Sequence, residues 1–342
     1  IWSGSAIAQR SIDFDRDVRP GDAIILAVSD IEDLSALETV IGEAGLENTR
    51  RAIGAAGFEA DVGATASFVS GAEPFGEIHL VGVSNEDMQA RDWEDFGGRA
   101  VSLANATKAN RVSVILPGAD QAAIANAAFG AALGQYSFNK YKSDAEPVEG
   151  ELVLINSSPD ALRSAFANEH AHVAYAVNWA REMQSEPANA LYPEEFVRRA
   201  RQEFRGVSNV SISVLDVRDM ERLGMGAILG VGKGSTRPPR MMITRYDGGD
   251  SDAPPMVFAG KGITFDSGGI SLKSNTNMWQ MKSDMTGAAT VTATVMGLAK
   301  SKAPVNVIAI AALAENMPDG GAQRPGDVVK TMSGTTVEIM ST

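Results

Sequence analysis

Short apolar runs alternate with longer amphipathic segments along the first half of the chain. Four apolar runs predict strands: 23–28, 78–83, 111–116 and 151–155. Three intervening segments, in which apolar residues recur every three or four positions, predict helices: 34–45, 93–107 and 119–133. Apolar strands that alternate with helices are typical of a sheet covered by helices on both faces. The first half therefore predicts an α/β domain.

The alternation continues in the second half, after a long helical segment at about 165–183. Five segments predict strands: 210–215, 240–246, 256–258, 305–314 and 335–340. Two predict helices: 217–223 and 286–300. A length of 342 residues suggests two domains, at about 150 residues each. We expect an N-terminal α/β domain at 1–160, and a second α/β domain with a mostly parallel central sheet at 161–342.

Composition and charge narrow the class of protein. The chain has no cysteine, which excludes disulfides, thiolate metal sites and cysteine nucleophiles, and fits a reducing compartment. The formal net charge of −13 argues against nucleic acid as a general partner. The longest apolar run, at 305–314, is far below the roughly 18 residues that a membrane span needs. We therefore expect a cytoplasmic protein without a membrane segment.

Charged residues lie among glycines directly after the predicted strand at 256–258. Lys261, Asp266 and Lys273 belong to the stretch 259–273, and Asp284 follows in 281–289. The carboxyl ends of strands in an α/β sheet face the ligand crevice, and glycines let the backbone approach a ligand closely. The four side chains can therefore converge on one pocket.

The residue types in this region suit a divalent metal. Two carboxylates, with no cysteine and only three histidines in the chain, favour a metal that is held by oxygen ligands. A lysine amine can bind a metal only when it is deprotonated, and a neighbouring dication lowers its pKa. Taken singly, each of these residues would instead be interpreted as part of a structural salt bridge or turn.

Two longer sequence stretches resemble the central motif of the leucyl aminopeptidase, or cytosol aminopeptidase, family. They are GKGITFDSGGISLK at 260–273 and MKSDMTGAA at 281–289. Shorter segments resemble the family too: NWAR at 178–181, PAN at 187–189, GS at 234–235, PPR at 238–240, ENMP at 315–318 and RPGDV at 324–328. The resemblance covers roughly residues 165–342.

This resemblance implies a role for each matching position. The family's metal-binding lysine falls on Lys261, the aspartate that bridges both metals on Asp266, and the aspartate of the second site on Asp284. The catalytic lysine, which polarises the scissile carbonyl and stabilises the tetrahedral intermediate, falls on Lys273. A methionine that lines the pocket for the first side chain of the substrate falls on Met281.

The family also implies an activity, cofactors and an assembly. The implied enzyme is a metal-dependent aminopeptidase that releases N-terminal amino acids such as leucine from peptides, by means of a water activated by two metals. Two Zn²⁺ or Mn²⁺ ions are the implied cofactors, with a bicarbonate base held by an arginine. The implied assembly is a homo-hexamer built as a dimer of trimers.

One departure from the family pattern changes these expectations. The family has a further aspartate, a glutamate ligand and the bicarbonate-holding arginine shortly after the position of Thr342, where this sequence ends. We therefore expect a chain truncated before its last metal ligands, a catalytic domain incomplete at its C-terminal end, and no activity from residues 1–342 alone. Two alternatives remain: a non-catalytic DNA-binding protein, as some family members are, and a catalytically dead structural subunit.

Overall fold

The computed structural model describes residues 9–72 and 74–342. Contacts divide the chain into two compact units, Ile1–Ala174 and Tyr175–Thr342. The sequence placed the boundary after residue 160 instead. The difference arises because Arg163 donates hydrogen bonds to the Asp13 carboxylate and to the Phe14 carbonyl, so the segment after residue 160 packs with the first unit.

The first unit contains a six-stranded sheet among the described residues. Its strands are β1 (Ser11–Asp15), β2 (Ala23–Val28), β3 (Thr65–Ala72), β4 (Phe75–Gly82), β5 (Arg111–Ile115) and β6 (Glu151–Ile155). Its helices are α1 (Ser35–Ala56), α2 (Ala90–Ala106), α3 (Gln121–Gly134) and α4 (Pro159–Ala165). The strand order is β1-β6-β5-β2-β4-β3, and every neighbouring pair is parallel except β3 with β4.

The core of this sheet is formed by the strands that the sequence predicted. Every residue of β2 is buried, which explains its uninterrupted apolar run. Strands β1 and β3 were missed, because polar residues are frequent in both. Asp15 lies on β1 and forms an ion pair with Arg111 of β5 at 2.9 Å.

The second unit is also built from alternating helices and strands. The π-helical turn at Phe166–His170 belongs to the first unit, and most of the helix that follows it, α5 (Ala171–Ser185), belongs to the second. The following helices are α6 (Pro193–Glu203), α7 (Val217–Arg222), α8 (Gly226–Gly232) and α9 (Thr286–Lys300), with a 3₁₀ helix at Met278–Ser283. The strands are β7 (Val210–Leu215), β8 (Arg240–Asp247), β9 (Met256–Asp266), β10 (Asn306–Asn316), β11 (Val328–Lys330) and β12 (Thr336–Glu338).

The central sheet of this unit has the order β7-β8-β10-β9, and β11 pairs with β12 in a separate hairpin. The sequence predicted a mostly parallel sheet here. Strands β9 and β10 are parallel, whereas β8 is antiparallel to both β10 and β7. The connections explain this, because helix α9 returns the chain for a parallel pair, while the loop at 248–255 reverses it between β8 and β9.

Buried apolar side chains of α5, α6, α9 and the strands form the core of the second unit. Phe196, Met242, Met285 and Leu313 are nearly or fully inaccessible to solvent in this cluster. The two-domain α/β fold predicted from the sequence is confirmed. None of the described helices is long and apolar enough to cross a membrane.

Candidate active site

Strand β9 carries two of the predicted site residues. The sequence predicted a strand over 256–258 with charged residues among glycines directly after it, but the strand continues through Lys261 to Asp266. Its partner for this extra length is β10, with Lys261 opposite Ala312 and Asp266 opposite Asn316. Glycine residues in this extension, which have no side chain, allow a close packing contact.

That close contact joins β9 to the start of helix α9. A Cβ atom on Gly260 would lie 2.3 Å from the Gly287 carbonyl oxygen, and one on Gly287 would lie 2.9 Å from the Lys261 nitrogen. Both distances are too short for real side chains, so only glycine lets the two backbones touch. The contact brings the residues before α9 next to β9.

Lys261 and Asp284 meet as a result of this packing. The Lys261 Nζ lies 2.8 Å from the Asp284 Oδ2. Asp284 follows the 3₁₀ helix and precedes α9, with 22% of its side chain exposed, whereas 60% of the Lys261 side chain is exposed. The lysine therefore extends from the strand toward solvent, with its amine against a largely buried carboxylate.

A β-bulge places Lys261 and Asp266 on the same face of the sheet. The two residues are five positions apart, and alternating side chains of a regular strand would point them to opposite faces. The pairing skips Thr264, since Ile263 lies opposite Ala314 and Phe265 opposite Glu315. This extra residue in β9 shifts the alternation by one, which is how bulges redirect side chains.

The carboxylate of Asp266 is held by three hydrogen-bond donors. Its Oδ1 accepts from the Gly268 backbone N–H at 2.9 Å and from the Asn316 side-chain amide at 2.8 Å, and its Oδ2 accepts from the Lys273 amine. Burial of this carboxyl would raise its pKa, but the bonds from Lys273, Gly268 and Asn316 outweigh burial and hold the pKa of Asp266 below its ordinary value. Asp266 is therefore held as a carboxylate.

A tight turn brings Lys273 back to Asp266. Gly268 and Gly269 both have positive φ, at 89° and 63°, which side chains other than glycine rarely adopt. A Cβ on Gly268 would also lie 2.4 Å from the Ser271 carbonyl oxygen. The turn closes where the Lys273 N–H donates to the Ser267 carbonyl at 2.9 Å. The sequence Ser-Gly-Gly therefore positions the second lysine.

A cleft of about 400 Å³ lies on this face of the sheet. Its lining residues come from α8, β9, β10 and the end of the described chain: Ala227, Ile228, Val231, Lys261, Ile263, Asp266, Ala312, Ala314, Asn316 and Thr342. Lys261 contacts Asp284, and Asp266 contacts Lys273. Of the four charged residues predicted from the sequence, Lys261 and Asp266 therefore line the cleft, and Asp284 and Lys273 each form an ion pair with one of these two.

The position of Met281 relative to the cleft gives less support for its predicted role. It lies on the 3₁₀ helix just before Asp284 and is half-buried. It is not among the residues that line the cleft. The pocket role that the resemblance implied for Met281 therefore stays a prediction.

The side chains of Lys261, Asp266 and Asp284 fit a divalent metal that is held by carboxylate oxygens and one amine. Among residues 9–72 and 74–342, no group of three or more histidine, cysteine or acidic side chains forms a metal cluster. The Oδ2 atom of Asp284 is nevertheless buried and accepts no hydrogen bond from the described residues, apart from its ion pair with Lys261. The Lys261 amine, 2.8 Å away, is the cation that this oxygen contacts, so a metal held by both groups would require Lys261 to lose its proton.

The sequence interpretation did not single out Asn316. Its side chain bonds to Asp266, and its backbone carbonyl accepts from the N–H and the hydroxyl of Ser267, at 3.0 and 2.7 Å. One signal could have found it: Asn316 ends the strand that is the parallel neighbour of β9, and such ends meet at one edge of the sheet. The preceding Glu315 accepts a hydrogen bond from the Ser235 hydroxyl.

Comparisons with known proteins match both units of the chain. Residues 178–342 match the catalytic domain of the cytosol aminopeptidase family, and residues 25–145 match its N-terminal domain. A probable cytosol aminopeptidase of Rhizobium etli strain CFN 42 is 39% identical over 98% of this chain. Another, from Rhizobium etli strain CIAT 652, is 41% identical over 79% of the chain. The chain spans 69% and 55% of the lengths of these two relatives.

Solved structures agree with this grouping. The bottromycin maturation enzyme BotP in complex with Mn superimposes with a TM-score of 0.76, at 29% identity, over 94% of this chain and 65% of its own. A mutant of tomato leucine aminopeptidase shares the fold, with a TM-score of 0.80 at 24% identity, over 99% of this chain and 69% of its own. Because both of its domains match and a relative aligns along nearly its whole length, the chain belongs to the cytosol aminopeptidase family, a family of peptidase hydrolases.

Proposed function

We propose that this chain contains the central part of the active site of a metal-dependent aminopeptidase, which releases N-terminal amino acids such as leucine from peptides. The observation that carries the proposal is the pair of lysine–aspartate contacts, Lys261 with Asp284 and Lys273 with Asp266. One member of each pair, Lys261 and Asp266, lines the same cleft. Family membership supplies the class of reaction.

Lys261, Asp266 and Asp284 would hold two divalent ions, Zn²⁺ or Mn²⁺. The manganese in the BotP structure supports this proposal. Two such ions would supply a bridging water of lowered pKa and polarise the scissile carbonyl. Lys261 has to lose its proton to become a ligand, and its amine already lies against the carboxylate of Asp284. Asp266, at the end of the same strand face, is the residue proposed to contact both ions.

Lys273 has a different proposed task. Its side chain is 38% exposed, and its amine donates to Asp266. A protonated amine has three N–H groups, so it can donate to Asp266 and still direct a proton at a substrate oxygen. We propose that this second bond stabilises the oxyanion that develops at the scissile carbonyl, where a fixed cation lowers the free energy of the transition state.

The resemblance to the family supports further proposals about the enzyme. We propose that Met281 contacts the first side chain of the substrate, that a bicarbonate acts as base, and that the full-length protein is a cytoplasmic homo-hexamer. The metals would bind the free α-amine of the peptide. That requirement explains cleavage only at an N-terminus.

Hydrolysis of leucine amide by the full-length protein tests the proposal. We expect release of leucine with added Mn²⁺, loss of the activity with a chelator, and recovery when Mn²⁺ is restored. N-acetyl-leucine amide is the matched control, because its blocked amine cannot bind the metals. Chelator-resistant cleavage, or equal cleavage of the acetylated substrate, would exclude the proposed mechanism.

A further inference from the structure

The amide of Asn316 is positioned where it can fix the orientation of a metal ligand. Its Nδ2 donates to the Asp266 Oδ1 at 2.8 Å. Its Oδ1 packs against Gly269, where a Cβ atom would lie only 2.7 Å away. The side chain therefore lies between the Ser-Gly-Gly turn and the carboxylate, and these contacts on both sides restrict its rotation.

The backbone of Asn316 reinforces this arrangement. Its carbonyl oxygen accepts hydrogen bonds from the Ser267 N–H and hydroxyl, which anchor the residue immediately after Asp266. The same hydroxyl accepts from the Gly269 N–H at 3.2 Å. One residue of β10 thus binds both the side chain of Asp266 and the start of the turn that returns Lys273.

The bulge in β9 creates this juxtaposition. With regular pairing beyond Ile263, Asn316 would lie opposite Phe265. Because Thr264 is skipped, Asn316 lies opposite Asp266 instead, and both side chains face the cleft. The Thr264 hydroxyl donates to the Ala314 carbonyl at 3.3 Å, which ties the bulged residue to β10. A local irregularity of the strand therefore decides which residue supports the carboxylate.

We infer that Asn316 is a positioning residue for the metal site: it and the Gly268 N–H fix the Asp266 Oδ1, so that the carboxylate presents a constant orientation to the ions. This inference rests on the proposed function. Removal of a residue that hydrogen-bonds to a metal-binding side chain, without contacting the metal itself, typically changes the metal affinity by about 10–100-fold. Asn316 reaches the ions only through Asp266.

A comparison of two asparagines on one strand tests the inference. Asn306 also lies on β10 and is buried, and its amide donates to the Asp250 and Ala253 carbonyls instead of to Asp266. In the full-length protein, we expect Asn316→Ala to weaken Mn²⁺ binding by about 10–100-fold, measured by competition with a chromogenic chelator. Asn306→Ala should leave the Mn²⁺ affinity within about twofold of the wild type, although it too removes buried hydrogen bonds.

A second pair of variants distinguishes a loss of metal affinity from a loss of stability. Asn316→Leu and Asn306→Leu keep a similar side-chain volume while they remove the amide, and thermal unfolding without metal reports the stability of each. Equal Mn²⁺ affinity in the Asn316 and Asn306 variants would overturn the inference while the proposed function stands. If the wild-type protein itself does not bind Mn²⁺, the proposed metal site fails, and the inference fails with it.

Discussion

The two lysines of the site differ in their surroundings. Lys261 extends from a strand, with 60% of its side chain exposed and its amine against Asp284, whereas Lys273 is returned by a turn and is 38% exposed. Asp266 is 9% exposed and accepts three hydrogen bonds, whereas the partner of the Asp284 Oδ2 is the Lys261 amine, at 2.8 Å. These contrasts lead to separate expectations for each residue.

The two aspartates should differ in their effect on metal content. Asp266→Ala should abolish metal binding in the full-length protein, because Asp266 is the residue proposed to contact both ions. Asp284→Ala should spare the first ion and weaken the second. Metal titration measures both effects, with Asp247→Ala as control, since Asp247 forms an ion pair with Arg245 at the end of β8 and is not among the residues that line the cleft. Two ions bound normally in both site variants would refute the assignment.

The two lysines should separate catalysis from metal binding. Lys273→Ala should lower kcat by at least about 10²–10³-fold, since one lost oxyanion donor typically costs that much. The metal content should stay constant, and KM should change far less than kcat. Lys261→Ala should lose metal first and activity as a consequence. Metal analysis and kinetics on the same samples check this, and the reverse pattern would mean that the two roles are exchanged.

Among secondary-structure elements, β9 and α9 determine the geometry of the site. Their backbones touch at Gly260 and Gly287, which sets Lys261 beside Asp284. The parallel strand β10 supplies Asn316 at the end of β9. Small shifts between these elements would therefore change the distances between the charged groups, although no charged residue is altered.

The contact between β9 and α9 gives a prediction about packing. In Gly260→Ala, the added methyl group would lie 2.3 Å from the Gly287 carbonyl oxygen, so β9 and α9 must separate. We expect the free energy of unfolding to fall by about 1–3 kcal/mol, as for other overpacked sites. Mn²⁺ affinity should fall as well, because Lys261 and Asp284 lie on either side of this contact.

A glycine in open space is the matched control for this variant. A Cβ on Gly320 would meet no atom within 4 Å, so Gly320→Ala should leave both quantities unchanged. Chemical denaturation and chelator competition measure stability and affinity respectively. If Gly260→Ala matched Gly320→Ala in both measurements, the close contact would have no role in positioning the site.

At the scale of the whole molecule, charge governs long-range interactions. The formal net charge is −13, which repels phosphate backbones. We expect no mobility shift of duplex DNA in a gel assay at about 0.15 M salt, where screening leaves only interactions within roughly 8 Å. A basic DNA-binding protein serves as positive control. A saturable shift at this salt concentration would support the alternative of a DNA-binding protein.

The extent to which the sequence predicted this molecule differs among its parts. Strands β2 and β6 were predicted at their observed bounds, because burial on both faces leaves a continuous apolar run. Strand β1 was missed, because its aspartates bind arginines from distant elements. The predicted strand at 256–258 covers only the start of β9, because glycines and Lys261 interrupt the apolar run, whereas in the structure Gly260 allows contact with α9.

The sequence by itself determined the α/β class, the family resemblance and the identity of the four charged residues. These depend on residue type and order, which periodicity and motifs record directly. Only the tertiary structure decided that Lys261 and Asp266 lie on the same face of the sheet, because this depends on the bulge at Thr264. It also decided that the Asn316 side chain binds Asp266. Register between strands separated by many residues is set by packing of the whole sheet, which no local pattern encodes.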